Sequence, residues 1–163
     1  LVIVTGHEHR LVAAVLDDLP VTCIYNDYYQ SGQASSVVCG VRHHQKGSHA
    51  AVLIALGDMP LVRPELIAAL LRDHSSLPDA TDRITLPVFD GRRGNPVIWG
   101  SAFFPELRQL RGDAGGRQVL LDHLAAHNPV ESTTSSITQD IDTPAELQAV
   151  ASHRSESGDA QPL

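Results

Sequence analysis

The residue most suited to chemistry is Asp58, which follows an uninterrupted apolar run, Ala50 to Leu56, through a single glycine, Gly57. A carboxylate at the carboxyl end of a buried strand stands where open α/β sheets bind ligands, and a glycine before it lets a ligand approach the backbone. Gly57-Asp58-Met59-Pro60 would equally make a plain turn. A second carboxylate pair, Asp140 and Asp142, flanks Ile141 directly ahead of Thr143-Pro144-Ala145-Glu146. Alternation along an extended segment puts the two on one side, and a helix starting at Pro144 turns its positive end toward them. Magnesium is commonly held by one or two carboxylates, with phosphates and water completing its shell, so Asp58 with Asp142 or Asp140 forms a candidate metal set. Helix capping is the competing use of Asp-x-Asp.

Two glycine-rich stretches are candidates for binding. Gly94-Asn95-Pro96 follows Arg92 and Arg93, and offers an amide side chain and open backbone to a polar ligand or simply joins two strands. Gly112-Asp113-Ala114-Gly115-Gly116 precedes Arg117, which opens a helix where a cation opposes the dipole, a placement that points to a bound anion. His7-Glu8-His9 and His43-His44 lack the i, i+4 spacing that puts two imidazoles on one helical face. No Walker loop, Gly-x-Gly-x-x-Gly or Gly-x-Ser-x-Gly elbow is present.

The elements that must hold these groups alternate. Strands are expected over Leu1 to Val4, Val21 to Tyr25, Ala50 to Leu56, Ile84 to Phe89, Pro96 to Trp99, Val130 to Ser132 and Ile137 to Gln139. Helical spacing marks Arg10 to Leu19, Pro64 to Asp73, Ala102 to Leu110 and Arg117 to Ala126, with Ser36 capping a short helix through Val41. Thr143 to Glu146 reads as a capping box with Pro144 at the first helical position. His43 to His49 and His74 to Asp82 are expected as surface loops, and Ser155 to Leu163 as a disordered tail. This alternation predicts an α/β fold with a mostly parallel sheet, the Ala50 strand buried within it, and helices on both faces.

At 163 residues the chain suits one domain with a real core. Its 42% apolar and 19% charged composition suits a globular protein. The net charge of −7, with no dense Lys/Arg cluster, argues against a nucleic-acid partner, and no apolar run reaches membrane-spanning length. Cys23 and Cys39 make no disulfide framework, and the N-terminus shows no leader, which together predict a cytoplasmic protein. An acidic protein that handles an anionic substrate needs local cations or a bridging metal.

Four stretches, taken in order, resemble the MobA-like nucleotidyltransferases: NDYYQSGQASSVVCGV from Asn26, AAVLIALGDMP from Ala50, RGNPV from Arg93 with GDAGGR from Gly112, and DIDTPAEL from Asp140. The nearest likeness is to the molybdenum cofactor cytidylyltransferase branch, whose members carry similar GDMP, GNPV, GDxGxR and DIDTP elements. The match covers nearly all of residues 1–150, the expected domain, leaving 151–163 as helix end and tail. The resemblance implies a nucleotide-diphospho-sugar-transferase-like, Rossmann-like fold. It also implies magnesium-dependent transfer of a nucleotidyl group, CMP or alternatively GMP, from an NTP to a phosphorylated acceptor such as the pterin cofactor. It implies metal binding by Asp58 and by Asp142 or Asp140, and a ligand pocket at Gly57, Gly94, Asn95, Pro96 and Arg117. A molybdoenzyme or its maturation chaperone is the implied protein partner. Members open with a strand and a LAAGxSxRMG loop around the triphosphate. This sequence carries no counterpart and starts at what would be the second strand. A non-catalytic binding module and a sugar-nucleotide enzyme are the alternative readings.

Overall fold

The structure, a computed structural model, describes residues 1–44, 49–113 and 115–156; Gln45–Ser48 of the expected histidine loop and residues 157–163 of the expected tail lie outside the described residues. The chain opens as a β-α-β unit. Strand β1 (Val2–Thr5) pairs in parallel with β2 (Thr22–Tyr25) across helix α1 (His9–Val15). Helix α1 stops short of the expected Leu19, and its apolar Leu11, Val12 and Val15 are exposed. Helix α2 (Gln33–His44) then packs on β1, where Gly40 comes close to Val4.

Ser36 is not the cap of this helix. The helix begins three residues earlier, because Ala34 N–H donates to the Gly112 carbonyl (3.0 Å) and Ser35 N–H to that of Gly32 (3.1 Å), while the Ser36 hydroxyl accepts a bond from Asn26 Nδ2. Distant backbone supplies what a local side chain was expected to give.

The larger sheet is built on β4 (Ile84–Phe89). One edge of β4 carries β7 (His127–Glu131) in parallel. The other carries β6 (Val97–Gly100) at Ile84 and Thr85, and the short β5 (Arg92–Arg93) at Val88 and Phe89, both antiparallel. Strand β3 (Ala51–Ile54) pairs antiparallel with β6. Strands β1 and β2 form a separate two-stranded parallel sheet. Among the described residues three of the larger sheet's four strand pairings are antiparallel, so it is mixed rather than mostly parallel. The cause is the short Asp90–Asn95 connection, since a parallel return needs a crossover of about a dozen residues or more. Strand β3 is likewise half-buried at a sheet edge, not buried on both faces, because β6 is its one strand partner among the described residues.

Helix α3 (Pro64–Ser76) starts at its proline as the spacing implies and packs against β4, β6 and β7. It runs into the expected surface loop as far as Ser76 and buries His74, whose Nδ1 lies 2.8 Å from Thr85 Oγ1 on β4. Asn128 Nδ2 of β7 also donates to that hydroxyl (3.2 Å) and to Asp73 of α3, so a polar network ties the helix to two strands.

On β4, alternation places Ile84 and Leu86 in the main core with Val97, Trp99, Phe103, Leu107 and Val119. Burying each such side chain contributes roughly 1.5–3 kcal/mol. A 3-10 turn at Ser101–Phe103 leads to helix α4 (Phe104–Leu107). Helix α5 (Arg117–Asp122) and a 3-10 turn at Leu124–Ala126 precede β7. Ser135–Thr138 is a 3-10 turn with Ile137 fully buried, where a strand was expected, and helix α6 (Pro144–Glu156) closes the described chain.

Candidate active site

Asp58 lies in the turn after β3, exposed beside Gly57 and anchored by the buried Met59. A Cβ added at Gly57 would meet nothing within 4 Å, so the backbone there is open to approach. The Asp58 carbonyl accepts a hydrogen bond from Ile141 N–H at 2.8 Å. That one bond brings the Asp140–Asp142 segment alongside the turn from more than eighty residues away in sequence.

The segment is held at both ends. Upstream, the buried Ile137 is fixed by Asn95 N–H, which donates to its carbonyl at 2.9 Å. Downstream, the capping box closes as its sequence implies: Thr143 N–H and Asp142 N–H donate to Glu146 Oε2 (2.9 and 3.0 Å), and Glu146 N–H donates to Thr143 Oγ1 (3.3 Å). The Thr143 hydroxyl, with the N–H groups of Asp142 and Thr143, holds the Glu146 carboxyl below the usual carboxylate range.

The electrostatics report the same convergence. The Asp140 carboxyl is pushed above its ordinary range, first by burial and then by the negative charges of Asp58 and Asp142. Among the described residues no group of three His, Cys, Asp or Glu side chains is arranged to hold a metal ion. The donor chemistry nonetheless suits a hard divalent cation: carboxylate oxygens, two of which suffice when phosphate and water fill the remaining positions.

A cleft of about 700 Å³, which none of these three carboxylates lines, opens between the hairpin tip, β3 and α5. Gly94 and Asn95 line it from the hairpin tip, Arg117 from the start of α5 and Gln33 from α2, with Ile54, Leu56 and Trp99 forming apolar wall. Two of its glycines are required by close approach. A Cβ on Gly94 would overlap the Ile137 carbonyl, and one on Gly116 would lie 2.7 Å from the Trp99 ring. Gly112 and Gly115 take positive φ (73° and 51°), and the Gly112 carbonyl meets the start of α2 at Ala34 N–H.

The expected site residues therefore fall into two groups. Asp58, Asp140 and Asp142 are drawn together, with Gly57 beside them; Gly94, Asn95 and Arg117 share the cleft. Ile137 links the groups, three residues before Asp140. Pro96 is fully buried and is not among the cleft-lining residues, because its neighbours on β6 carry the strand into the core. Gln33 and Trp99 line the cleft without having been singled out from sequence. Gln33 stands inside the stretch that begins at Asn26, whereas nothing local marks Trp99.

A fold of this kind, with three carboxylates drawn together on one side and a basic, glycine-rich cleft lined by other residues, is that of an α/β protein. Residues 1–128 match the MobA-like NTP transferase domain family, and the chain belongs to it. It is 30% identical over 122 residues to purine catabolism protein PucB of Bacillus subtilis; the match takes in 74% of this chain, which spans 57% of that relative's length. Among solved structures, Rv0371c of Mycobacterium tuberculosis in complex with manganese superimposes with a TM-score of 0.65 at 20% identity, covering 92% of this chain and 76% of the other. Molybdopterin-guanine dinucleotide biosynthesis protein A of Archaeoglobus fulgidus does so with a TM-score of 0.62 at 16% identity, covering 95% and 78%. These structural likenesses give the chain a nucleotidyltransferase-like α/β fold. No described helix is long and apolar enough to cross a membrane.

Proposed function

We propose that this protein transfers a nucleotidyl group, CMP in preference to GMP, from an NTP to a phosphorylated acceptor of the pterin-cofactor type and releases pyrophosphate. The observation that carries this reading is the hydrogen bond from Ile141 N–H to the Asp58 carbonyl, which sets two carboxylate segments side by side. Family membership supports the reaction class. The names of two relatives supply further support: one is a manganese complex, the other a molybdopterin-guanine dinucleotide biosynthesis protein.

On this reading Asp58 and Asp142 hold magnesium, with Asp140 beside them. When bound, the ion supplies positive charge that offsets the charge building up on the transferring phosphoryl group. The remaining work belongs to positioning. Arg117 offers a guanidinium to the acceptor's phosphate, while Gly94 and Asn95 present open backbone and an amide to its polar edge. The acceptor phosphate oxygen attacks the α-phosphorus in line, the bond to the bridging oxygen breaks, and pyrophosphate departs. No protein nucleophile is needed, because orientation and electrostatics lower the barrier. The protein then works in the cytoplasm and passes its product to a molybdoenzyme or that enzyme's maturation chaperone.

The test is pyrophosphate release from CTP, magnesium and the pterin acceptor by the parent and by Asp58→Asn. Asp58 is exposed, so the variant should unfold like the parent while losing at least about a hundredfold in rate. Turnover close to that of the parent overturns the assignment.

A further inference from the structure

Helix α2 separates the cleft just described from a second one, of about 600 Å³, with which it shares no lining residue. Gln33 and Val37 face the first; Val38, Cys39 and Arg42 face the second. Arg42 is joined there by Arg108 and Arg111, from the segment that follows α4. None of these three guanidiniums makes an ion pair or hydrogen bond among the described residues. Among the described residues Asp27 is the one carboxylate on the lining, so a chain of net charge −7 keeps an excess of positive charge around this cavity. Like charges that share a cleft repel one another, and a bound anion removes that cost.

The remaining lining narrows the chemistry. Tyr28 is 76% exposed, so its phenol ring stands open on the same lining as the guanidiniums, whereas the Tyr25 ring packs against His9 at 4.8 Å. Guanidinium N–H pairs match phosphate oxygens, and exposed aromatic faces stack on planar groups. The volume falls within the range of small-ligand sites, roughly 300–1,000 Å³. We propose that this cleft binds a small-molecule phosphate monoester carrying a planar ring. Its dianionic head sits among Arg42, Arg108 and Arg111, and its ring lies against Tyr28.

Cys39 gives a reporter inside the cleft. The chain has two cysteines, so in a Cys23→Ser background Cys39 is the sole thiol. Its alkylation by iodoacetamide would be followed against phenyl phosphate, with magnesium omitted. Saturable slowing is expected, with inorganic phosphate binding more weakly. Arg108→Gln and Arg111→Gln should each weaken protection about tenfold, the loss of one charged hydrogen-bonding partner. Both variants should unfold like the parent, and Asp58→Asn should protect as the parent does, since Asp58 lies outside this cleft. Absence of saturation, or protection indifferent to the arginines, overturns the proposal. Equal affinity for inorganic phosphate removes the planar ring from it. A glutamate-rich peptide that shields Cys39 where phenyl phosphate does not would make the cleft an acidic-protein interface and overturn the small-molecule reading.

Discussion

Asp140 and His74 carry opposite pH signatures. The Asp140 carboxyl is raised in the folded protein, by burial and by Asp58 and Asp142, so the fold holds that proton more tightly than the unfolded chain does. Its contribution favours folding below the unfolded carboxylate pKa of about 3.9 and is lost as pH rises through the folded value. Asp140→Asn should therefore lessen the fall in stability over that window, as read from urea midpoints across acidic pH. The His74 imidazole is lowered, chiefly by burial, with Asp73 acting the other way, and its Nε2 is buried without a partner. An imidazole kept neutral in the fold costs stability as pH falls below the unfolded value of about 6.5. His44 and His127 are lowered for the same leading reason and add to the slope. Replacing His74 by Asn should flatten the decline between neutral and mildly acidic pH. It should also lower stability at neutral pH by about 1–2 kcal/mol through the lost Thr85 bond.

At the scale of elements, the candidate metal set depends on how the Asp140–Asp142 segment is clamped. Glu146 acts on it from α6 by accepting the N–H groups of Asp142 and Thr143, so it is a positioning residue. Its carboxyl lies below the usual range, so the clamp is whole above the unfolded carboxylate pKa and is released as pH falls through the folded value. Glu146→Gln should raise the magnesium concentration needed for half-maximal turnover several-fold, while the thermal midpoint stays near that of the parent; an unchanged magnesium requirement would exclude the positioning role. The other clamp is the hairpin tip. Gly94→Ala would drive a methyl into the Ile137 carbonyl, displacing either the tip or the turn that leads to Asp140. A destabilisation of about 1–3 kcal/mol together with loss of turnover is expected from denaturant unfolding and rate measurements on that variant.

Across the whole molecule, site and core share residues: Val97, Trp99 and Leu107 belong to the buried core and also line the cleft. Trp99, the single tryptophan, is 3% exposed, packs edge-on against Phe103 at 6.4 Å, supports Gly116 and also lines the cleft. Trp99→Ala should cost about 3–5 kcal/mol by chemical denaturation. In the parent, the same indole should report acceptor binding by fluorescence, and a spectrum unmoved at saturating acceptor would separate the cleft from the acceptor site.

Features set by short-range chemistry are legible in the residues themselves. Apolar periodicity marked most strands and helices, Pro64 and Pro144 marked helix starts, and the Thr143–Glu146 box closed as its residue types require. The ordered motifs carried the family and, with it, the fold class. Tertiary structure decided whatever depends on a partner far along the chain. Strand direction followed from the short return at Asp90–Asn95, the burial of His74 from Thr85, and the start of α2 from the Gly112 carbonyl. Ile137 gave up strand pairing for a buried turn whose carbonyl serves Asn95. Backbone donors and acceptors must be satisfied, and where the partner is dozens of residues away no local pattern records it. The same holds for charge: Asp58 is brought beside Asp140, and Arg42 is gathered with Arg108 and Arg111, by the packing of elements that are distant in the chain.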